Sequence, residues 1–196
     1  MKFLASLVHA AVASQVVFDS HSPPDKDGEF AIISRNRGAA VRFRSPSAAD
    51  NACGPEGLTI DTVNFMMDTS KVAGDTSLLV NFCPSVNGKP YCTKSGQPAR
   101  IPIKNIDKRA KFQWSPPSSI VLPTSSYYWF TIFSSAEADY QAPFWLAGTK
   151  EYSTVSDPND DVITAFTVNK DGPWEVVNNR HLPENRVVGC LQVNTK

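Results

Sequence analysis

An all-β fold is what this sequence predicts: a jelly-roll-like antiparallel β-sandwich in a single domain. Three observations carry the expectation. From residue 30 onward the apolar runs are short and rich in β-branched or aromatic residues, as in "AVRF", "LTIDTVNFMM", "SLLVNF", "YYWFTIF", "VITAFTV" and "VVGCLQV". Between them stand clusters of turn-forming residues such as "SPPSS", "SDPNDD" and "NKDGP". Only "SSAEADYQAP" has room for a helical turn, so about ten strands with frequent turns remain, which is the pattern of a sandwich or barrel. The 196 residues suit one domain with a substantial core, and neither an internal repeat nor a linker interrupts them.

The opening "MKFLASLVHAAVAS" places one lysine before an apolar run and then Ala11-Val12-Ala13, whose small residues suit a signal peptidase. Residues 1–14 are therefore expected to be a signal peptide and 15–196 the sandwich domain. The alternative is a buried first element of a cytosolic protein. Formal net charge is zero, and loss of Lys2 leaves one more acidic than basic residue, which argues against nucleic acid as a partner. No later apolar run is long enough to span a bilayer, the end lacks a lipid-anchor tail, and no N-glycosylation sequon occurs. The expected location is secreted and extracellular.

Behind an export signal, Cys53, Cys83, Cys92 and Cys190 read as two disulfides, with three possible connectivities. Local geometry favours one of them. In "FCPSVNGKPYC", Asn87-Gly88 is a type I′ hairpin signal, and counting outward pairs Val86 with Lys89, Ser85 with Pro90 and Cys83 with Cys92. Alternation makes the cysteine pair a non-hydrogen-bonded one, close enough to bridge. Pro84 removes one ladder donor, so the hairpin should sit on an edge or fray. Cys53 and Cys190 are left to tie an early loop to the last strand.

The densest aromatic stretch is "YYWFTIF" at 127–133. On a strand, Tyr127, Trp129, Thr131 and Phe133 point one way, and Tyr128, Phe130 and Ile132 the other. A ligand platform needs one wet face. Both faces here are apolar, so the stretch reads as a central strand covered on both sides, with Thr131 a same-face partner for the Trp129 indole.

The order of these pieces resembles the secreted or surface-displayed β-sandwiches called choice-of-anchor domains. "AAVRFRS" is similar to the family's opening Ala-x-x-Phe strand, at Ala40 and Phe43, and "LTIDTVNFMMD" to its second strand. "TSLLVNFC…NGKP" is similar to its strand and hairpin, and "SIVLPTSSYYWFTI" carries its Leu-to-Tyr-Trp spacing at Leu122, Tyr128 and Trp129. Trp145 and Trp174 stand where later tryptophans do. The resemblance runs over most of the expected mature chain. It implies a small jelly roll and no shared catalytic residues; the four cysteines and the missing sorting signal depart from it.

Candidate sites follow from residue chemistry. Tyr140 and Trp145, with Phe144 between them, lie near a Pro-bearing loop, where rings could stack on the C–H faces of sugars; the alternative has Trp145 capping the core. Arg42 and Arg44 share one strand face opposite Val41 and Phe43 and could grip sulfate, uronate or phosphate, with "KNIDKRAK" extending the patch; the alternative is a solvated face with acidic partners nearby. Glu137 and Asp139 would face the same way on a strand, as the paired carboxylates of a jelly-roll glycosidase do, but position 142 is Ala where the second Glu is needed. The oxygen-rich 157–161 turn could hold calcium, although it lacks the Gly and Glu of a helix-loop site. A copper site led by His21 would need a cut that puts Phe18 where a small residue belongs, and with His181 as the other histidine there is little for a metal. Neither a phosphate-binding Gly-Lys loop nor a Gly-x-Ser-x-Gly elbow is present.

The expectation is therefore a secreted, non-catalytic binding module without cofactor or metal, with polysaccharide or cell-surface glycan as the candidate partner and Tyr140, Trp145, Arg42 and Arg44 as candidate binding residues. A glycoside-cleaving enzyme using Glu137 and a secreted protein-binding factor are the rival readings.

Overall fold

The β-branched and aromatic runs become strands, and alternation decides which side chains meet. In the computed structural model, residues 15–20, 28–47, 57–92, 97–148, 153–154, 163–178 and 188–196 are described. In chain order the strands are β1 (Gln15–Asp19), β2 (Glu29–Ile32), β3 (Gly38–Arg44), β4 (Leu58–Asp68), β5 (Ser77–Val86), β6 (Lys89–Pro90), β7 (Ala99–Pro102), β8 (Ala110–Trp114) and β9 (Val121–Leu122). Then follow β10 (Tyr127–Ser134), β11 (Phe144–Leu146), β12 (Ser153–Thr154), β13 (Ile163–Thr167), β14 (Glu175–Asn178) and β15 (Leu191–Thr195).

Two antiparallel sheets form. The first runs β12-β1-β15-β4-β11-β2, with β8 and β9 also on β4; the second runs β14-β13-β3-β10-β5-β6, with β7 also on β5. The chain crosses repeatedly between them, and the expected single β-sandwich is the observed architecture. The expected helical turn is a 3-10 turn at Asp139–Gln141. No helix among the described residues is long and apolar enough to cross a membrane.

One core lies between the sheets. Val63, Phe65 and Met67 of β4 meet Val41, Phe43, Val80, Phe82, Phe130 and Ile132 of the second sheet, all fully or nearly fully buried. Its rings interlock: Phe130 lies 5.6 Å from both Phe65 and Phe82, and Phe43 lies 5.7 Å from Phe82. Edge-to-face and tilted contacts of this kind are favoured by the ring quadrupoles. β1 was not among the runs read as strands, yet Val17 and Phe18 are fully buried in this core.

The disulfide hairpin forms as expected. Ser85 pairs with Pro90 and Val86 with Lys89, and Asn87 and Gly88 both have positive φ, 52° and 74°. Type I′ turns require that conformation at both central positions. Cys83 and Cys92 are bridged with their Cα atoms 4.7 Å apart, and β6 is the sheet edge that Pro84 demands. The second expected bridge is a correction: Cys190 is a free, buried thiol, while Cys53 lies outside the described residues. Burial first, and the Asp19 charge second, push that thiol up to about 12, against smaller opposing effects of a Met66 backbone hydrogen bond and Arg109.

Candidate binding groove on the outer face of the second sheet

Strand β10 runs between β3 and β5, with Trp129 opposite Arg42 on one side and Cys83 on the other. Tyr128, Phe130 and Ile132 face the core. Trp129 faces outward yet is fully buried, because Cys83, Ala40 and Ala165 surround it and Cys92, Trp174 and Val176 cover it. The expectation of a strand covered on both sides therefore holds at its centre. The indole N–H donates to Ser85 Oγ at 3.1 Å, not to Thr131, whose hydroxyl donates instead to the Asn81 carbonyl at 3.3 Å.

Past Trp129 the same face opens. A groove of about 420 Å³ has Leu79, Asn81, Thr131 and Phe133 as its floor. One wall is the disulfide hairpin, which delivers Tyr91; the other is the turn before β14, which delivers Lys170, Asp171 and Trp174. Local chemistry builds that turn. Thr167 Oγ1 donates to the Asn169 carbonyl at 2.7 Å, and Asn169 Oδ1 accepts the Asp171 N–H at 3.2 Å, an Asx turn that reverses the chain. It sets the Trp174 ring 5.7 Å from Phe133 at an interplanar angle of 69°. Gly38 lies directly against the Phe133 ring, and a Cβ there would overlap it, so the ring takes its place because that glycine has no side chain. Tyr91 is 39% exposed, and Phe133 and Trp174 are half-buried.

The residues singled out from sequence fall elsewhere. Trp145 is a correction: it is fully buried in the core, 5.4 Å from Phe30, with its indole N–H donating to the Cys190 carbonyl at 3.0 Å. β11 pairs with β2 and β4, and alternation turns Trp145 inward. Tyr140 is 76% exposed on the 3-10 turn, so no paired ring subsite with Trp145 exists. Arg42 and Arg44 do share the outer face, with their guanidinium carbons 4.5 and 5.5 Å from the Tyr127 ring centroid. Lys104 to Lys111 do not extend this patch, since that segment leads into β8 and is held to the end of the first sheet by Thr69 Oγ1, which donates to the Asn105 carbonyl at 2.7 Å.

The two carboxylates considered for catalysis lie in the loop after β10. Glu137 pairs with Arg35, and Asp139 pairs with Arg37 at 2.9 Å, so each is engaged by an arginine of the "SRNR" loop. The 157–161 turn, His21 and His181 lie outside the described residues.

A second groove, about 570 Å³, crosses the outer face of the first sheet. Three of its polar groups hold one another: Asn64 Nδ2 donates to Gln192 Oε1 and Gln192 Nε2 to Asp19 Oδ2, both at 3.0 Å. Its rings are the buried Phe65 and the half-buried Phe112 stacked on it at 5.3 Å, whereas the first groove brings Tyr91, Phe133 and Trp174 together from three elements and is the candidate for ring stacking. Sequence reading missed Tyr91, Phe133 and Trp174 as a group. The available signal was that two hairpins, one disulfide-bonded and one ending in "DGPW", flank a strand whose outward register ends in Phe133.

No family model matches the chain, and no curated protein matches it in sequence. Among solved structures, the chain is similar to one described as the cysteine protease and lectin-like domains of Cwp84, a surface layer associated protein of Clostridium difficile, with a TM-score of 0.52 at 15% identity. The match covers 82% of this chain and 32% of that one, and at this identity it is a likeness of fold.

Proposed function

We propose that this protein is an extracellular, non-catalytic carbohydrate-binding module that seats a sugar chain in the groove on its second sheet. The observation that carries the reading is the convergence of Tyr91, Phe133 and Trp174 around Asn81, Lys170 and Asp171. Flat C–H faces of sugars stack on such rings, and the few polar groups fix orientation. Three further facts support it. The fold is like that of part of a structure described as holding cysteine protease and lectin-like domains. The order of the strand motifs resembles choice-of-anchor domains of secreted and surface proteins. The Cys83–Cys92 bridge belongs to an oxidising compartment. The arginine partners of Glu137 and Asp139 favour a structural role for those carboxylates over a catalytic one.

The test is retention of the recombinant mature protein on a panel of insoluble polysaccharides. Wild type should be retained by at least one, and Trp174→Ala and Tyr91→Ala should each weaken retention about tenfold, the scale of one lost ring contact. Retention by none, or unchanged retention of both variants, would overturn the assignment.

A further inference from the structure

The aromatic groove does not end at Phe133. A second cavity of about 320 Å³ shares Leu79 and Lys170 with it and is otherwise lined by Arg35, Arg100, Glu137, Ser134 and Ser135. Register explains the continuity: Phe133 pairs with Leu79 and Leu79 with Arg100, so ring, apolar side chain and guanidinium form one row across β10, β5 and β7. Two strand spacings, about 10 Å, separate the first from the last. Lys170 overhangs both halves from the β13–β14 turn.

The charges at this end do not cancel. Glu137 is taken by Arg35, and among the described residues neither Arg100 nor Lys170 has an ion pair. Asp171, in the aromatic half, is the other acid lining the combined groove. A ring-lined half thus opens into a half with a surplus of two cations. From this we infer that the preferred ligand is an acidic glycan, one whose sugar stacks on Phe133 and Trp174 while a carboxylate or sulfate a residue away meets Arg100 and Lys170. The planar fork of Arg100 matches either anion through paired N–H contacts, and Lys170 adds a point charge. This inference rests on the carbohydrate-binding reading and specifies its ligand class.

Titration calorimetry of the full mature protein tests it with three probes: an oligogalacturonate, its carboxyl-reduced galactan counterpart, and the sulfated form of that galactan. Wild type should bind at least one anionic probe about tenfold more tightly than the neutral one at 0.05 M salt, and which of the two it prefers separates carboxylate from sulfate recognition. In 1 M salt, where screening acts over about 3 Å, most of that preference should vanish. Arg100→Gln with Lys170→Gln, both at exposed positions, should bring the anionic probes down to the neutral affinity, while Trp174→Ala should weaken all three. Equal binding of neutral and anionic probes, with Trp174→Ala still harmful, would overturn the acidic-ligand inference and leave the carbohydrate reading standing. Absence of binding to every probe would overturn the inference, and the polysaccharide panel then decides the broader reading separately.

Discussion

Replacing Trp145 by alanine distinguishes a core ring from a ligand-stacking ring. The side chain is fully buried, makes edge contacts with Phe30 at 5.4 Å and Phe130 at 6.0 Å, and satisfies the Cys190 carbonyl through its indole N–H at 3.0 Å. Truncation removes a large apolar surface, leaves a cavity bounded by those rings and orphans a buried acceptor. Buried Trp→Ala changes cost about 3–5 kcal/mol, and an unsatisfied carbonyl adds about 1. A loss of about 5 kcal/mol is expected, a large share of the roughly 5–15 kcal/mol that holds a domain together. Trp145→Phe keeps most of the volume and loses the hydrogen bond, so it should cost about 1–2 kcal/mol. Urea unfolding measures both: with a slope of about 2 kcal/mol/M, the alanine variant's midpoint should fall by about 2.5 M. An unchanged midpoint accompanied by lost polysaccharide retention would refute the assignment of Trp145 to the core.

Cys83→Ser with Cys92→Ser should cost about 3 kcal/mol, the chain-entropy value for a loop spanning nine positions, and should raise the exposure of Trp129, read by a red shift in tryptophan emission. The Cys190 thiol, ordinarily at 9.0, is raised to about 12 in the folded protein. The unfolded chain therefore gives up this proton first, so the thiol's contribution to stability is intact below pH 9 and is lost as pH rises from about 9 towards 12, by up to about 4 kcal/mol. Burial raises Tyr128 as well, which acts in the same direction at higher pH, so the comparison is the stability-versus-pH curve of Cys190→Ala, which should fall less steeply across that window. Gly38→Ala should displace Phe133 from its seat, weakening polysaccharide retention several-fold while shifting the urea midpoint by less than Trp145→Ala does.

How much could be read in advance followed the physics of each signal. The Asn87-Gly88 hairpin was legible to the register and the bridge, because both central φ values are dictated by two residues acting locally. Strand β10 was legible face by face, because period-2 alternation does not depend on partners. β7, "ARIP", went unread because an arginine and a proline in four residues carry no strand period, and pairing with β5 alone makes it a strand. β1 went unread because its apolar residues follow directly on the leader-like run. The site was least legible. Trp145 looked like a loop ring beside Pro143, and only pairing of β11 with β4 shows that it points inward. Trp174 and Tyr91 are 83 positions apart in sequence, and nothing short of the fold places them on two walls of one groove.

The most direct test is a backbone amide chemical-shift map recorded while the oligogalacturonate is titrated into the labelled protein. Perturbations should concentrate at Asn81, Tyr91, Arg100, Phe133, Lys170 and Trp174, leaving Asn64, Gln113 and Gln192 on the opposite sheet unmoved. Shifts gathered on that opposite sheet, or none at millimolar ligand, would contradict the placement of the binding face.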